Sequence, residues 1–424
     1  MSIKVAVVGF EEASRDYFED RLRTDEVHFV NAISRDECII HDSDYPFEER
    51  LEAGHTRMED ADVHAVITYW DFPASMLTAF LAEREGTPYA STSAVLKCEH
   101  KYWFRQEQAK VVDTPAFASF NPFADDPLSE IGMDYPFWVK PVVGHSSMLG
   151  FEIKNEDDFK KALAEIREGI EQMTRPFRYA IEHVDMPQEL KDKGTCLCMA
   201  EEIISKGEQY TLEGYVRNGK VFVYGVVASV RHPNGHTFSR YQYPAKLEQV
   251  IVDRMIETTE KIIGQIGFDG SPFNIEFFHD EDADRLHVVE INSRLSQSHS
   301  DLFYKVDGQT HQQIAVNLAL DEEPEWKRGE GEFNVAGKCF LRYFEDAVVT
   351  RVPTEADIAK VKAEMPDVRV DSNVGEGTRL SELEEQESYS YEVADIFIGA
   401  DSEEELLRKY DRAVELLNYQ FEAV

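Results

Sequence analysis

Positive charge is scarce in this sequence: 44 Lys and Arg stand against 82 Asp and Glu, a formal balance of −38. A surface that negative repels phosphate backbones, so no nucleic-acid partner is expected. A small anionic ligand is still permitted, because one pocket can be locally positive on an acidic protein. The shortage of lysine fits a salt-rich source and an ordinary acidic protein equally. Long apolar runs are missing too. No stretch approaches the ~20 residues of a membrane span. The first apolar run, Val5 to Val8, breaks at Gly9 ahead of Glu11 and Glu12. Neither a signal peptide nor a membrane partner is therefore expected. The five cysteines include Cys196 and Cys198, which stand too close for an ordinary disulfide and lack a second pair at zinc spacing. They read as reduced thiols of a cytoplasmic protein. The 13 histidines form no His-Glu-x-x-His pattern, and His232 and His236, flanking Pro-Asn-Gly, read as loop residues. Gly9 is not followed by Gly-x-x-Gly, so the dinucleotide fingerprint is absent.

What is present is a chain of 424 residues with 42% hydrophobic side chains, enough for about three packed domains at roughly 150 residues each. The pattern predicts an α/β fold, α+β overall. Residues 1–115 read as an open parallel βα domain, with buried strands at Ile3–Val8 and Val63–Tyr69. Residues 116–330 read as two α+β subdomains. Their strands are expected at Phe137–Val143, Gly150–Ile153, Ala200–Ser205, Gln209–Arg217, Lys220–Val227, Phe273–Phe278 and Leu286–Asn292. A helix is expected after Asn155, with Phe159, Leu163, Ile166 and Ile170 on one face. A second carries Ile251, Met255, Thr259, Ile262 and Ile266. Residues 171–198 resist assignment and read as a loop-rich insertion. Residues 331–424 form a small α/β unit, opened by a strand at Val335–Phe344 and closed by a helix behind a Ser402-x-x-Glu405 capping box.

Three places could carry chemistry. Phe273–Phe278 and Leu286–Asn292 flank a charged turn and read as a hairpin. Glu290 and Asn292, two apart, share a face, with Glu276 nearly opposite. Two carboxylates brought together cost free energy unless a cation sits between them. All-oxygen ligands suit Mg²⁺, with Mn²⁺ as a possible substitute. A solvated acidic face is the other reading. The second place runs from Lys140 through a Gly/Ser loop, Gly144-His145-Ser146-Ser147-Met148-Leu149-Gly150. Its backbone N–H groups could approach phosphate oxygens beside a lysine point charge, or it is a plain glycine turn. The third, Ala200–Ile204 followed by Gln209, is an extended segment able to pair with an adenine edge, or simply a strand, turn and strand.

In order along the chain, Lys101 with Arg105, Lys140 with the Gly144–Gly150 loop, Ala200–Ile204, Glu276 and Glu290-Ile291-Asn292-Ser293-Arg294 closely resemble the ATP-grasp superfamily, in particular its biotin-carboxylase-like branch. The resemblance implies a central ATP-grasp domain at 116–330 with a mobile lid at about 116–200. It implies that Lys101 and Lys140 contact the ATP phosphates and that the loop with Gly144, Ser146, Ser147 and Gly150 closes over them. Main-chain groups of Glu201 and Ile204 would read adenine, and Gln209 would stand at the ribose. Glu276, Glu290 and Asn292 would hold Mg²⁺, and Arg294 would face the transferring phosphoryl group. The implied chemistry is carboxylate activation as an acyl-phosphate followed by attack of an amine. That asks the protein for positioning and charge neutralisation rather than for a nucleophile of its own.

Departures narrow the expectation. Ser296 and Ser298 stand where biotin carboxylases carry Gln and Glu, and no Met-Lys-Met biotin acceptor is present. A serine cannot serve as a carboxylate base, so a carboxylase is the weaker alternative; a nucleotide-binding protein without catalysis is the third. The small, polar Ser296 and Ser298 suggest an amino-acid-type substrate. Arg231 and Arg240 are candidates to pair with its carboxylate, with surface salt bridging the alternative for at least two of Arg231, Arg240 and Lys246. The partners expected are thus a small-molecule carboxylate and an amine. The C-terminal unit resembles a carboxylase-type closing domain, which implies a homodimer.

Overall fold

The computed structural model describes residues 3–22, 26–40, 45–144, 149–235, 237–383 and 389–424. Strands β1 (Ile3–Phe10), β2 (Val27–Ser34) and β3 (Val66–Thr68) form a parallel sheet in the order β2-β1-β3. The core of β1 from Val5 to Val8 is wholly buried, as a parallel strand covered on both faces must be. Gly9 lies inside β1 rather than after it. Its φ of +80° and a Cβ position 2.3 Å from the Trp70 ring restrict the site to glycine. The register with β2 shifts between Val8 and Phe10.

Four strands make a small antiparallel sheet: β4 (Phe117–Phe120), β5 (Phe137–Pro141), β6 (Phe151–Ile153) and β7 (Cys198–Glu202), in the order β4-β7-β5-β6. The helix Glu156–Thr174 packs on it with Phe159, Leu163, Ile166 and Ile170 buried, and the Asn155 side chain caps the Asp158 N–H. Glu156, Asp157 and Asp158 in the first turn complement the helix dipole.

A larger antiparallel sheet of eight strands has the order β12-β11-β8-β9-β10-β13-β16-β15. Its members are β8 (Glu208–Arg217), β9 (Lys220–Arg231), β10 (Phe238–Tyr243), β11 (Pro272–Asp280), β12 (Arg285–Asn292), β13 (Val335–Tyr343), β15 (Arg369–Ser372) and β16 (Tyr391–Ala400). Strand β14 (Ala347–Arg351) pairs with β17 (Gln420–Ala423) apart from it. Since β10 pairs with β13, the sheet runs without a break across residue 331.

Several local expectations need correction. The stretch 171–198 is not loop-rich. It finishes the helix Glu156–Thr174 and then forms the helices Arg178–His183 and Gln188–Lys191 before β7 starts at Cys198. These pieces are too short to show a period. Aromatic stacking holds them to the N-terminal unit, with ring centroids 3.3 Å apart for Phe72 and Phe177 and 5.0 Å for Phe47 and Tyr179. Strand β10 follows the His232-Pro-Asn-Gly turn and carries Ser239, Arg240 and Gln242, whose polarity hides an alternating pattern. The Ser402 side chain does cap the Glu405 N–H, but the Glu405 carboxylate reaches back to the Asp401 N–H at 2.9 Å, so the reciprocal box is not closed there. All five cysteines are free. Among the described residues no helix is long and apolar enough to cross a membrane.

Candidate active site

The helix Lys101–Gln108 lies between the four-stranded sheet and the β11–β12 end of the large one. His100 caps it by accepting from the Trp103 N–H. Lys101 and Arg105 are one turn apart and share a face. The Lys101 Nζ donates to the Gly144 carbonyl at 2.6 Å and lies 3.8 Å from the Glu290 carboxylate. Gly144 has a φ of +127°, and a Cβ there would meet the Met173 sulfur at 2.3 Å, so glycine is required. Arg105, 1% exposed, donates to Glu201 at 2.8 Å and to the carbonyls of Val288 and Val289 at 2.9 and 3.1 Å. On the other side Lys140 of β5 holds the second Glu201 oxygen at 2.5 Å. Burial alone would push Glu201 up, yet the Lys140 and Arg105 charges outweigh it and hold the carboxyl at about 2.

The facing wall comes from β8, β11 and β12. A register shift between Ile275 and Phe277 sets Glu276 at an irregularity opposite the Val289–Glu290 region. Burial, with Glu290 close by, pushes Glu276 up to about 7. Gln209 of β8 donates to Glu276 at 2.7 Å and accepts from Arg231, whose guanidinium also stacks on Phe238 and Phe278. The Asn292 Nδ2 donates to Asn274 Oδ1 at 2.9 Å, which leaves the Asn292 Oδ1 as its acceptor end. Asn274 in turn donates to the Arg294 carbonyl.

This donor set fits a hard cation. Two mutually repelling carboxylates and an amide oxygen are the ligands that Mg²⁺ takes beside waters and phosphates. The fit needs oxygens from a substrate, because among the described residues no group of three or more His, Cys, Asp or Glu is arranged to hold a metal. A pH effect follows. The raised Glu276 pKa favours its neutral acid in the folded, metal-free protein. That stability is fully present below the ordinary Glu value of ~4.3 and is lost as pH rises through about 7. In a chelator the parent protein's melting temperature is expected to fall between pH 5 and 8 more steeply than that of Glu276→Gln. Parallel curves would remove Glu276 from this account.

Arg294 sits deeper. Its Nε donates to Asp71 Oδ1 at 3.0 Å and its Nη2 to Asp71 Oδ2, a two-pronged pair. Its Nη1 makes no hydrogen bond among the described residues. Glu99, half-buried and near Asp71, is pushed up to about 7 and accepts from Ser75 at 2.6 Å. Asp71 and Glu99 were not singled out from the sequence. The signal was available for Asp71, which follows β3 at the carboxyl end of a parallel strand, where open α/β sheets form ligand crevices.

The structure thus brings Lys101, Lys140, Glu201, Gln209, Glu276, Glu290, Asn292, Arg294 and also Arg231 into one neighbourhood. It does not bring Arg240 there. On β10, Arg240 and Gln242 face away from Tyr241, and Arg240 pairs with Glu403 at 2.6 Å, as does Lys246. Main-chain pairing of Glu201 with both β4 and β5 takes its backbone into the sheet, and its buried carboxylate lies between Arg105 and Lys140. The main chain leaves the sheet at Ile203, and the Ile204 carbonyl accepts from the Lys206 N–H at 2.7 Å, which leaves the Ile204 N–H as the group that could meet an adenine edge. Ser296 and Ser298 are half-buried beyond Arg294, and Lys338 donates to Ser298 at 3.4 Å. Gly150 directly precedes β6. Ser146 and Ser147, with His145 and Met148, lie outside the described residues, as does His236.

Residues 133–300 match the model of the ATP-grasp domain family. The fold of the chain is shared with an L-amino acid ligase from Bacillus licheniformis, at 18% identity and a TM-score of 0.75 over 99% of both chains. A phosphoribosylglycinamide synthetase from Anaerococcus prevotii is similar at 13% identity and a TM-score of 0.64 over 100% of both chains. A biotin carboxylase from Campylobacter jejuni gives 14% identity and a TM-score of 0.62, covering 99% of this chain and 92% of the other. Among curated proteins none matches this sequence.

Proposed function

We propose that the protein is an ATP-dependent ligase that activates a carboxylate as an acyl-phosphate and joins it to an amine, releasing ADP and phosphate. The observation that carries this reading is the clustering of Lys101 and Lys140 with Glu276, Glu290, Asn292 and Arg294. The two lysines would neutralise ATP phosphates. Glu276, Glu290 and Asn292 would hold Mg²⁺, whose positive charge adds to theirs at the phosphates when bound. The Nη1 of Arg294, without a hydrogen bond among the described residues, would meet the phosphoryl group as its charge develops. The fold, shared with an L-amino acid ligase, supports an amino-acid-type substrate. Ser296 and Ser298 add small, polar surface beside Arg294. The four-stranded sheet with its helix would act as the lid that excludes water from the acyl-phosphate. Because Phe177 and Tyr179 are stacked on the N-terminal unit, residues 175–183 would stay behind while the four strands, β7 included, and the helix Glu156–Thr174 move.

The test is ADP release from Mg²⁺-ATP with common amino acids singly and in pairs, with bicarbonate separately. Release that needs a particular acid and a particular amine, and that Glu290→Ala abolishes, is the expected result. Release driven by bicarbonate alone would make the protein a carboxylase. ATP binding without release in any mixture would overturn the ligase reading.

A further inference from the structure

Arg294 leaves one donor unmet, and beside it stands an acceptor in the same condition. Glu99 ends the helix Thr92–Glu99. Its Oε1 accepts from Ser75 Oγ at 2.6 Å and from Ser293 Oγ at 3.4 Å. Ser75 and Ser293 are both 0% exposed, whereas Glu99 is half-buried. One carboxylate oxygen is thus tied to the interior by two hydroxyls, and no hydrogen bond reaches Oε2 among the described residues. Ser293 is the chain neighbour of Arg294, so this anchor and the guanidinium are set by the same turn after β12. Site residues lie to either side. Burial pushes the Glu99 carboxyl up to about 7 and the Asp71 charge adds to it, while Lys101 and Arg294 are close enough to pull it down. Lys101 is the lysine beside Glu290, and Asp71 is the partner of Arg294. A third unmet group stands by them. The Tyr89 hydroxyl is buried without a hydrogen-bond partner, and the charges of Glu99 and Arg294 both act on it.

An unmet donor on Arg294 and an unmet acceptor on Glu99 ask for a ligand with an anionic and a cationic end close together. An α-amino acid has that form, since its carboxylate and its ammonium stand on one carbon. A plain carboxylic acid would meet Arg294 and leave Glu99 without its donor. We propose that the acid this protein activates is an α-amino acid with a free ammonium group, and that Glu99 holds the ammonium while Arg294 faces the carboxylate as it takes the phosphoryl group. This rests on the ligase reading. The ammonium donates to Glu99 Oε2, a charge-assisted hydrogen bond, and takes no part in the bond changes at the carboxylate. Both oxygens of Asp71 already accept from Arg294, which leaves the task to Glu99. A half-buried group built to pair with its substrate rejects the analogue that lacks the pairing atom, because the protein group then stays unmet. Glu99 is thus a specificity residue that sorts amino acids from plain carboxylic acids.

The test compares two acids by trapping the acyl-phosphate with hydroxylamine. Wild-type protein with Mg²⁺-ATP is given each common amino acid and, in parallel, its desamino counterpart, as propionate is to alanine. The amino acid is expected to give hydroxamate with a kcat/KM about 10²-fold or more above that of its counterpart. Glu99→Gln still accepts from Ser75 and Ser293 but carries no charge. In it kcat/KM for the amino acid is expected to fall about 10²-fold, chiefly through KM, with the desamino acid little changed, so that the two react alike. The retained desamino reaction reports a folded, activating enzyme. Wild-type protein that activates both acids equally overturns the proposal and leaves the ligase reading intact, and this comparison needs no variant. A Glu99→Gln protein that keeps the preference overturns it too. So does one that loses both acids in equal proportion, as it would if Glu99 only positioned Arg294. Wild-type protein that gives hydroxamate with no acid overturns the ligase reading, and the proposal with it.

Discussion

Arg294→Ala is expected to lower turnover about 10²- to 10³-fold while ATP still binds, the size of effect seen when one preorganised donor to a developing charge is lost. On the proposed function Lys101 and Lys140 would still hold the nucleotide, so binding measured by calorimetry should change far less than ADP release. Removing the guanidinium also strips Asp71 of its two-pronged partner. A carboxylate beside Glu99 that has lost this guanidinium would then repel the phosphoryl group, in the same direction as the lost donor. Arg294→Lys keeps the charge but cannot make the fork, so it should remain well below the parent. Asp71→Asn in the Arg294→Ala background should restore part of the loss, because it removes the repulsion. Turnover unchanged in Arg294→Ala would end the assignment of this residue.

The residues of the site were legible where chemistry is written in short spacing. Glu290, Asn292 and Arg294 alternate along one strand end, and Glu276 lies on the partner strand of a hairpin. Those positions follow from period-two geometry. Asp71 and Glu99 were not legible, because each enters through a contact between distant elements. Arg294 meets Asp71 across 223 residues of sequence, and Ser293 meets Glu99 across 194. The side chain of Glu201 shows a different limit. The sequence marks the strand, but not that its backbone is taken into the sheet, which depends on β4 and β5 both pairing with it. For the fold, long periodic helices such as Gln249–Ile266 are visible in their apolar stripe. The polar strand β10 and the short helices after Thr174 are set by neighbours rather than by their own pattern.

Arg105→Ala is expected to destabilise the protein by about 3–5 kcal/mol, the cost of leaving one partner of a buried ion pair. Arg105 is 1% and Glu201 4% exposed, so solvent does not screen the loss. Lys140 still holds Glu201, which places the effect toward the lower end. Two further losses add to it, since the carbonyls of Val288 and Val289 lose their donor beside Glu290. The linkage gives the change a signature. Glu201 is held at about 2, below its ordinary value, so its contribution is present above the ordinary Glu value of ~4.3 and is lost only as pH falls through about 2. The deficit of Arg105→Ala, read as a shift in urea midpoint, should therefore be flat from pH 6 to 8, where the Glu276 effect changes. Arg105→Met combined with Glu201→Gln should recover much of the stability, because the fully buried Arg105–Glu201 pair is removed as a whole and only the half-buried Lys140 is left without its carboxylate. It should not recover the site: Lys140 then loses the carboxylate that aims it, and ATP affinity should stay below the parent's. Full recovery of both would mean that Arg105 and Glu201 serve the fold alone, and that Lys140 is positioned by something else.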